Sequence, residues 1–205
     1  MKTYERELPE GYVEVKTIDA KNIKIGLIFS LVSFAVVIVT VVVTWFALFG
    51  GSNESFMEIV QNRIALDNLW ELILHLLVFM IVIVAYIILH EIVHGIVYKL
   101  LTKQKLKFGL TLTVAYCGVP DIYVYRTTAL LSLIAPFVVF LPVFLVPLFF
   151  LKNNLDILLF AILLGLHVGG CVGDLYNTFL YLFKFRSPNT LMRDTGPKQS
   201  FYVKR

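Results

Sequence analysis

The sequence predicts an all-α membrane protein: four transmembrane helices, with a cytoplasmic-side β-hairpin between the second and third helices. Three observations predict this fold. Of the 205 residues, 59% are hydrophobic and 16% are charged, whereas about 25% of the residues in an average soluble domain are charged. The apolar residues form four long blocks, and one connection between blocks alternates apolar and polar residues. This composition excludes a soluble domain, and two cysteines are too few for a disulfide framework.

Each apolar block is long enough to cross a bilayer, which requires a helix of about 20 apolar residues. The second block carries ionisable residues at both ends, and the third contains three prolines. Tyrosines in the second block, including Tyr86 and Tyr98, are interpreted as interface anchors or lipid-facing residues. The four predicted spans are residues 25–49, 69–101, 129–151 and 155–183.

The basic residues predict the orientation of these spans. Sixteen of the eighteen Lys and Arg residues precede the first span, surround the connection between spans two and three, or follow span four. Only Arg63 and Lys152 lie in the other two connections. Because basic residues concentrate in cytoplasmic loops, we expect both termini and the loop 102–128 to be cytoplasmic. The net charge of +4 follows from this bias, so we expect a lipid bilayer and no nucleic acid as partner.

The spans and their orientation divide the chain into three parts. From Ser187 the chain has the Pro, Asn, Asp and Gly residues of irregular structure, so we expect this end of the tail to be partly disordered. The predicted parts are a cytoplasmic N-terminal tail (1–24), a four-span membrane domain (25–183) and a cytoplasmic C-terminal tail (184–205).

The cytoplasmic loop between spans two and three has the pattern of a hairpin. Apolar residues alternate with other residues from Leu106 to Val114, and this period of two is typical of a strand. A turn signal at 117–121 leads into a second apolar stretch, Ile122 to Tyr125. We expect the two stretches to pair against the inner face of the membrane; the alternative is a plain amphipathic connector.

The second span ends in the H-E-x-x-H pattern, His90-Glu91-Ile92-Val93-His94. Residues four apart lie on one helix face, so both imidazoles can reach one metal ion while Glu91 acts on a bound water. The alternative is a pair of histidines at the membrane interface. That alternative leaves Glu91 unexplained, because an apolar helix near the bilayer rarely holds an acid without a partner.

A third metal ligand must come from elsewhere, because a catalytic zinc usually has three protein ligands and one open position. Asp174 lies 18 residues beyond Asp156, near the start of span four, and His90 lies 18 residues beyond Leu72, near the start of span two. Both therefore lie about 27 Å from comparable starting points on helices that run in the same direction. This favours Asp174 as the third ligand; the alternative is a structural acid, or one that hydrogen-bonds a ligand. His167 lies two turns deeper if span four is straight. This depth favours His167 as a hydrogen-bond donor beside the site or as a buried histidine bonded to a neighbouring carbonyl, and leaves it as the alternative third ligand.

Two further features of span four concern the site. Asn177, one turn past Asp174, could hydrogen-bond a ligand or a tetrahedral intermediate, or could simply face the cytoplasmic surface. Gly165, Gly169 and Gly173 repeat every fourth residue, which allows a neighbouring helix to approach closely. If that neighbour is span two, the glycines bring Asp174 within reach of the two histidines.

These motifs resemble those of the small multi-pass membrane proteins classed as zincin metallopeptidases, a largely bacterial family. The resemblance implies a zinc enzyme of the bacterial cell membrane. In layout the chain is also similar to the site-2 protease group of intramembrane metalloproteases, in which an Asp from a later helix joins the H-E-x-x-H helix. It departs from that group at Leu175, because glycine typically follows the Asp there. The matching motifs are His90 to Gly95, Leu133-Ile134-Ala135-Pro136, Gly173-Asp174, and Arg193-Asp194-Thr195-Gly196 followed by Phe201-Tyr202.

The residues together predict a zinc-dependent membrane metalloendopeptidase that hydrolyses a peptide or membrane-protein substrate near the cytoplasmic face of the bilayer. His90, His94 and Asp174 would bind Zn²⁺, although such a ligand set also accepts iron or cobalt. Glu91 would transfer protons. The alternative is a catalytically silent scaffold or partner-binding protein with a structural metal or polar cluster, which would not need Glu91. Metal transport would require ionisable residues at several depths, and spans one and three have almost none.

Overall fold

The computed structural model describes residues 2–49, 69–111, 114–152 and 154–205. A 3₁₀ turn covers Val146–Phe149, and a π-helical turn covers Leu180–Lys184. The helices are α1 (Ile23–Phe49), α2 (Leu69–Thr102), α3 (Arg126–Leu145), α4 (Asn154–Gly170) and α5 (Val172–Phe179). The strands are β1 (Tyr4–Glu5), β2 (Tyr12–Asp19), β3 (Lys107–Leu110), β4 (Ala115–Gly118), β5 (Tyr123–Tyr125), β6 (Leu191–Asp194) and β7 (Lys198–Lys204).

The apolar blocks form helices, as predicted. Within the described residues, three helical segments are long and apolar enough to cross a membrane: Ile23–Leu48, Ile73–Thr102 and Arg126–Phe149. The pair α4 and α5 supplies a fourth if it counts as one bent span. Large apolar side chains project outward from these helices; Leu31 on α1, for example, is 68% exposed. Such a surface is compatible with lipid as the surrounding solvent.

The fourth predicted span is bent rather than straight. Helix α4 ends at Gly170 and α5 begins at Val172, and the two axes differ by 40°. Gly169 and Gly170 precede the break, and glycine is a poor helix former because it loses the most backbone entropy. The assumption of a straight helix, on which the depth of His167 was based, is therefore wrong.

The largest difference from the prediction is a five-stranded antiparallel sheet, in the order β1-β5-β6-β7-β2. In it, Val124 of β5 lies opposite both Tyr4 of β1 and Met192 of β6. The all-α prediction is thus wrong, and so is the prediction of irregular chain from Ser187, because that segment supplies β6 and β7. Strands from the two ends of the chain pair with each other, so no local sequence pattern predicts their pairing.

The sheet joins the two tails to the loop between α2 and α3. All three segments therefore lie at one end of the helices, as the distribution of basic residues predicted. That this end is cytoplasmic stays a prediction. Arg63, one of the two basic residues counted on the opposite side, lies outside the described residues.

A β-hairpin follows α2, but its second strand is not the predicted one. Strand β3 pairs with β4, with Phe108 opposite Cys117. The predicted turn at 117–121 begins within β4, and the stretch ending at Tyr125 enters the large sheet as β5. The prediction failed because the pattern of one segment does not show that β1 and β6 are available to pair with β5. Leu112, one of the alternating residues, lies outside the described residues.

The spaced glycines of α4 face α1. A Cβ atom at Gly169 would lie 2.6 Å from the Val37 side chain and 2.8 Å from the Ser33 carbonyl oxygen, and one at Gly165 would lie 3.1 Å from the Val37 carbonyl oxygen. A Cβ atom at Gly173 would meet nothing within 4 Å. The hypothesis that span two is the neighbour of these glycines is therefore wrong; α2 packs mainly on α3.

Candidate metal centre

The H-E-x-x-H histidines lie on a buried stripe of α2. Isoleucines beside them, such as Ile87 and Ile92, are exposed. Polar side chains of an apolar helix are buried against partners because an apolar exterior offers them no hydrogen bonds. The prediction of Tyr86 and Tyr98 as interface or lipid-facing residues is therefore wrong. The buried side chains of α2, among those described, recur every fourth residue: Tyr86, His90, His94, Tyr98 and Thr102.

Asp174, in the first turn of α5, lies opposite the two histidines. The Nε2 atoms of His90 and His94 each lie 3.3 Å from the same Asp174 oxygen, Oδ2. Zinc ligands about 2.0–2.1 Å from a tetrahedrally coordinated ion are themselves about 3.3 Å apart. The donor set and its spacing therefore fit zinc. The structure brings together all three residues that the sequence predicted as ligands, and their role as ligands stays a prediction.

His94 is held by the backbone of α3. Its Nδ1–H donates to the Ser132 carbonyl oxygen over 2.8 Å, and the Ser132 hydroxyl donates to the His94 carbonyl oxygen over 3.4 Å. In a regular helix the Ser132 carbonyl would accept from the N–H four residues later. That residue is Pro136, which has no N–H. The proline thus leaves the carbonyl free to hold His94 with Nε2 toward Asp174.

Glu91 faces a cleft of about 560 Å³ that the histidines and Asp174 also line. The backbone of Cys117 in β4 interacts with the Glu91 carboxylate. Gly95, directly after the motif, allows this close approach, because a Cβ atom there would lie 2.8 Å from the Phe108 ring and 3.3 Å from the Cys117 sulfur. The hairpin therefore forms one wall of the cleft beside the acid.

The sequence of this region decides the family. A family model described as "Putative zincin peptidase" matches residues 82–188, slightly more than half of the chain. This chain belongs to that family. The matched segment includes His90, Glu91, His94 and Asp174, and zincins are zinc peptidases with an H-E-x-x-H helix. No curated protein and no solved structure matches the chain.

His167 of this zincin-family site lies close to His90 despite its greater depth. Its Nδ1 atom lies 2.9 Å from the Tyr86 hydroxyl, which lies 3.2 Å from His90 Nδ1. His90, His167 and Cys171 also form a second group of potential ligand atoms within 4.8 Å of one another. His167 is thus beside the site and does not touch Asp174 in any described contact.

Asn177 lines the same cleft and is buried rather than surface-facing. Its Nδ2 donates to Gln199 Oε1 over 3.0 Å. Its Oδ1 is buried and has no hydrogen-bond partner among the described residues. Asn177 therefore keeps an unpaired, buried acceptor beside the cleft, and its role toward a ligand stays a prediction.

Asp194 is a buried acid near the zincin-family site that sequence reasoning left without a role. It accepts a hydrogen bond from the Tyr98 hydroxyl over 2.7 Å and one from the Gly196 N–H over 2.9 Å. Its carbonyl accepts from Val119 N–H, directly after β4. Burial raises the pKa of Asp194 to about 6. The Asp194 side chain and backbone therefore join α2, the hairpin and the β6–β7 turn; the Arg-Asp-Thr-Gly motif was its only sequence signal.

Proposed function

We propose that this zincin-family chain is a zinc-dependent membrane endopeptidase that cuts peptide bonds at, or just inside, the cytoplasmic leaflet. The observation that carries the proposal is the position of two histidine Nε2 atoms 3.3 Å from one oxygen of Asp174, with Glu91 beside them. A structural zinc site is closed by four protein ligands, whereas a catalytic site keeps a position open. This cluster offers three donors and opens onto the cleft.

The residues of the cluster would divide the chemistry between them. His90, His94 and Asp174 would hold the ion, which when bound would activate water and polarise the scissile carbonyl. Glu91 would take a proton from the attacking water and pass it to the leaving amine. The water oxygen bonds to the carbonyl carbon, and the C–N bond then breaks as the amine nitrogen receives the proton, so hydrolysis needs no further reactant.

The free edge of β4 is suited to hold an extended substrate. Thr111 N–H donates to the Val114 carbonyl over 2.8 Å. Because hydrogen-bonded and non-hydrogen-bonded pairs alternate in an antiparallel ladder, Ala115 and Cys117 direct their N–H and C=O groups away from β3. The Cys117 N–H meets the Glu91 carboxylate, which leaves the Ala115 groups for a substrate. Strand β4 pairs only with β3 in the described part of the chain and lines the cleft. An unwound peptide could therefore add to β4 as a strand.

Two features support a membrane location. The helices have exposed apolar faces, and the two basic tails and the basic loop lie together at one end of the helices. An Asp from a later, bent helix joins the H-E-x-x-H helix, and this arrangement supports a layout similar to that of site-2 proteases. In this layout the metal centre lies where the helices meet the sheet. We propose that this end faces the cytoplasm of a bacterial cell.

The metal content of detergent-purified protein tests the ligand assignment. Elemental mass spectrometry should find about one zinc in the wild type and in Glu91→Gln, and less in Asp174→Ala. To test cleavage, the wild type and Glu91→Gln are each incubated with vesicles that contain bacterial inner-membrane proteins, and new N-termini are sequenced. New N-termini should appear with the wild type and not with Glu91→Gln. A wild type that binds no metal after zinc is supplied would contradict the peptidase and favour a scaffold.

The β4 edge is tested by proline substitution, because proline cannot donate a main-chain hydrogen bond. Ala115→Pro should lower cleavage and leave the zinc content unchanged. Leu110→Pro is the matched control, because Leu110 lies opposite Ala115 and directs its N–H away from the cleft. Equal cleavage by the two variants would remove the β4 edge from the mechanism.

A further inference from the structure

A chain of buried hydrogen bonds runs from His90 to the backbone of α3. His90 Nδ1 lies 3.2 Å from the Tyr86 hydroxyl, and that hydroxyl lies 2.9 Å from His167 Nδ1. At the other side of its ring, His167 Nε2 lies 3.3 Å from the Phe137 carbonyl oxygen. The three side chains are buried, and His167 is 0% exposed. The peptidase chemistry proposed above uses neither Tyr86 nor His167.

One arrangement of protons satisfies every link of this chain. The Phe137 carbonyl can only accept, so His167 Nε2 carries a hydrogen. A neutral His167 then accepts at Nδ1, so Tyr86 donates its hydroxyl hydrogen there. The Tyr86 oxygen in turn accepts from His90 Nδ1–H. This order leaves the lone pair of His90 on Nε2, the atom that lies 3.3 Å from Asp174.

The reverse order of donors would require a charged His167. Its described ring contacts are aromatic: Tyr86, Phe137, Phe140 and Phe144. Cys171 lies 3.8 Å from its Nδ1. None of these groups is a carboxylate, and a buried charge without a partner is strongly unfavourable. The surroundings of His167 thus favour the neutral ring and the direction of donation given above.

We infer that Tyr86 and His167 are positioning residues that fix the tautomer and the ring orientation of His90, so that Nε2 is free to bind zinc. The inference rests on the proposed function for the identity of the ion. The histidine tautomers follow from the protein's own hydrogen bonds and do not depend on a bound ion. Both motif histidines are then held from α3: His94 directly by the Ser132 carbonyl, and His90 through Tyr86 and His167. Such outer partners orient metal-binding histidines and raise their basicity.

The tautomers can be observed directly, because the chain has four histidines. Nitrogen-15 NMR of histidine-labelled protein in detergent, with and without zinc, resolves which ring nitrogen carries hydrogen. We expect His167 to be protonated at Nε2 alone. Tyr86→Phe should shift the ring signals of His90 and His167 and leave those of His94 in place. A His167 protonated at Nδ1, or unchanged spectra in Tyr86→Phe, would overturn the inference even if the protein bound no zinc.

Zinc affinity, measured by chelator competition, separates positioning from mere packing. Tyr86→Phe should weaken zinc binding about tenfold, as should His167→Leu. His167→Asn restores an acceptor near the position of Nδ1 and should recover much of this loss. Cys171→Ala should bind zinc as the wild type does. A large loss in Cys171→Ala would place the ion among His90, His167 and Cys171 and overturn the inference, without removing the zinc requirement of the proposed function.

Discussion

Helices α1 and α2 have almost the same mean hydropathy, yet only α2 carries the candidate metal centre. No residue of α1 between Ile23 and Leu48 is buried, and α1 packs chiefly on the glycines of α4. Among the described side chains of α2, burial is confined to polar and aromatic ones four residues apart. The difference teaches that hydropathy predicts which segments can form membrane-spanning helices. Polar residues at helical spacing predict which face of such a helix carries the candidate site.

The largest effect expected from this comparison is on metal binding. His94→Ala removes one of three donors, so we expect zinc affinity to fall by more than about 100-fold. Thr40→Ala changes a polar residue of α1 and should leave zinc affinity unchanged. Competition with a chelating dye in detergent measures both affinities. A comparable loss in the two variants would show that α1 also contributes to the site.

The interface between α1 and α4 should affect stability rather than metal binding. Gly169→Ala places a Cβ atom 2.6 Å from the Val37 side chain and 2.8 Å from the Ser33 carbonyl oxygen, so we expect a loss of about 1–3 kcal/mol in the free energy of unfolding. Gly173→Ala meets nothing within 4 Å and should cause no loss. Denaturation in mixed micelles gives both values. Equal stability of the two variants would contradict the close packing.

Asp194 of β6, which accepts a hydrogen bond from Tyr98 near the end of α2, should make stability depend on pH. The pKa of Asp194 is raised to about 6 by burial, so its stabilising contribution is complete at low pH and is lost as pH rises through about 6. We expect the wild type to lose roughly 2 kcal/mol between pH 4 and 7 relative to Asp194→Asn. Thermal unfolding of both proteins across this range measures the difference. Parallel pH profiles would show that Asp194 does not titrate in this range.

The smallest expected effect concerns the support that α3 gives to α2. Pro136→Ala supplies an N–H that competes with His94 for the Ser132 carbonyl, so zinc affinity should fall by up to about tenfold. Pro142→Ala is the matched control, because the carbonyl that it affects belongs to Val138, whose side chain is exposed. Unchanged affinity in Pro136→Ala would mean that His94 does not depend on a carbonyl freed by proline.

Prediction from the sequence succeeded where the contacts are local and failed where they join segments that are distant in the chain. The apolar blocks and the spacing of His90 and His94 are local patterns, and both predicted the structure correctly. The large sheet was missed because its strands come from opposite ends of the chain; Thr17, for example, hydrogen-bonds Ser200. The bend at Cys171 had a local signal in the preceding glycines, but these were interpreted only as a packing surface.

The sequence by itself determined the four apolar segments, the placement of His90 and His94 on one helix face and the zincin motif, because helical periodicity and hydropathy are properties of neighbouring residues. Only the tertiary structure decided that Asp174 meets both histidines, that α4 packs on α1 and that β4 rather than β5 pairs with β3. It also decided which carbonyls of α3 hold the histidine rings. These features depend on which distant segments pack or pair together, and that outcome is set by the fit of whole elements rather than by the pattern within any one of them.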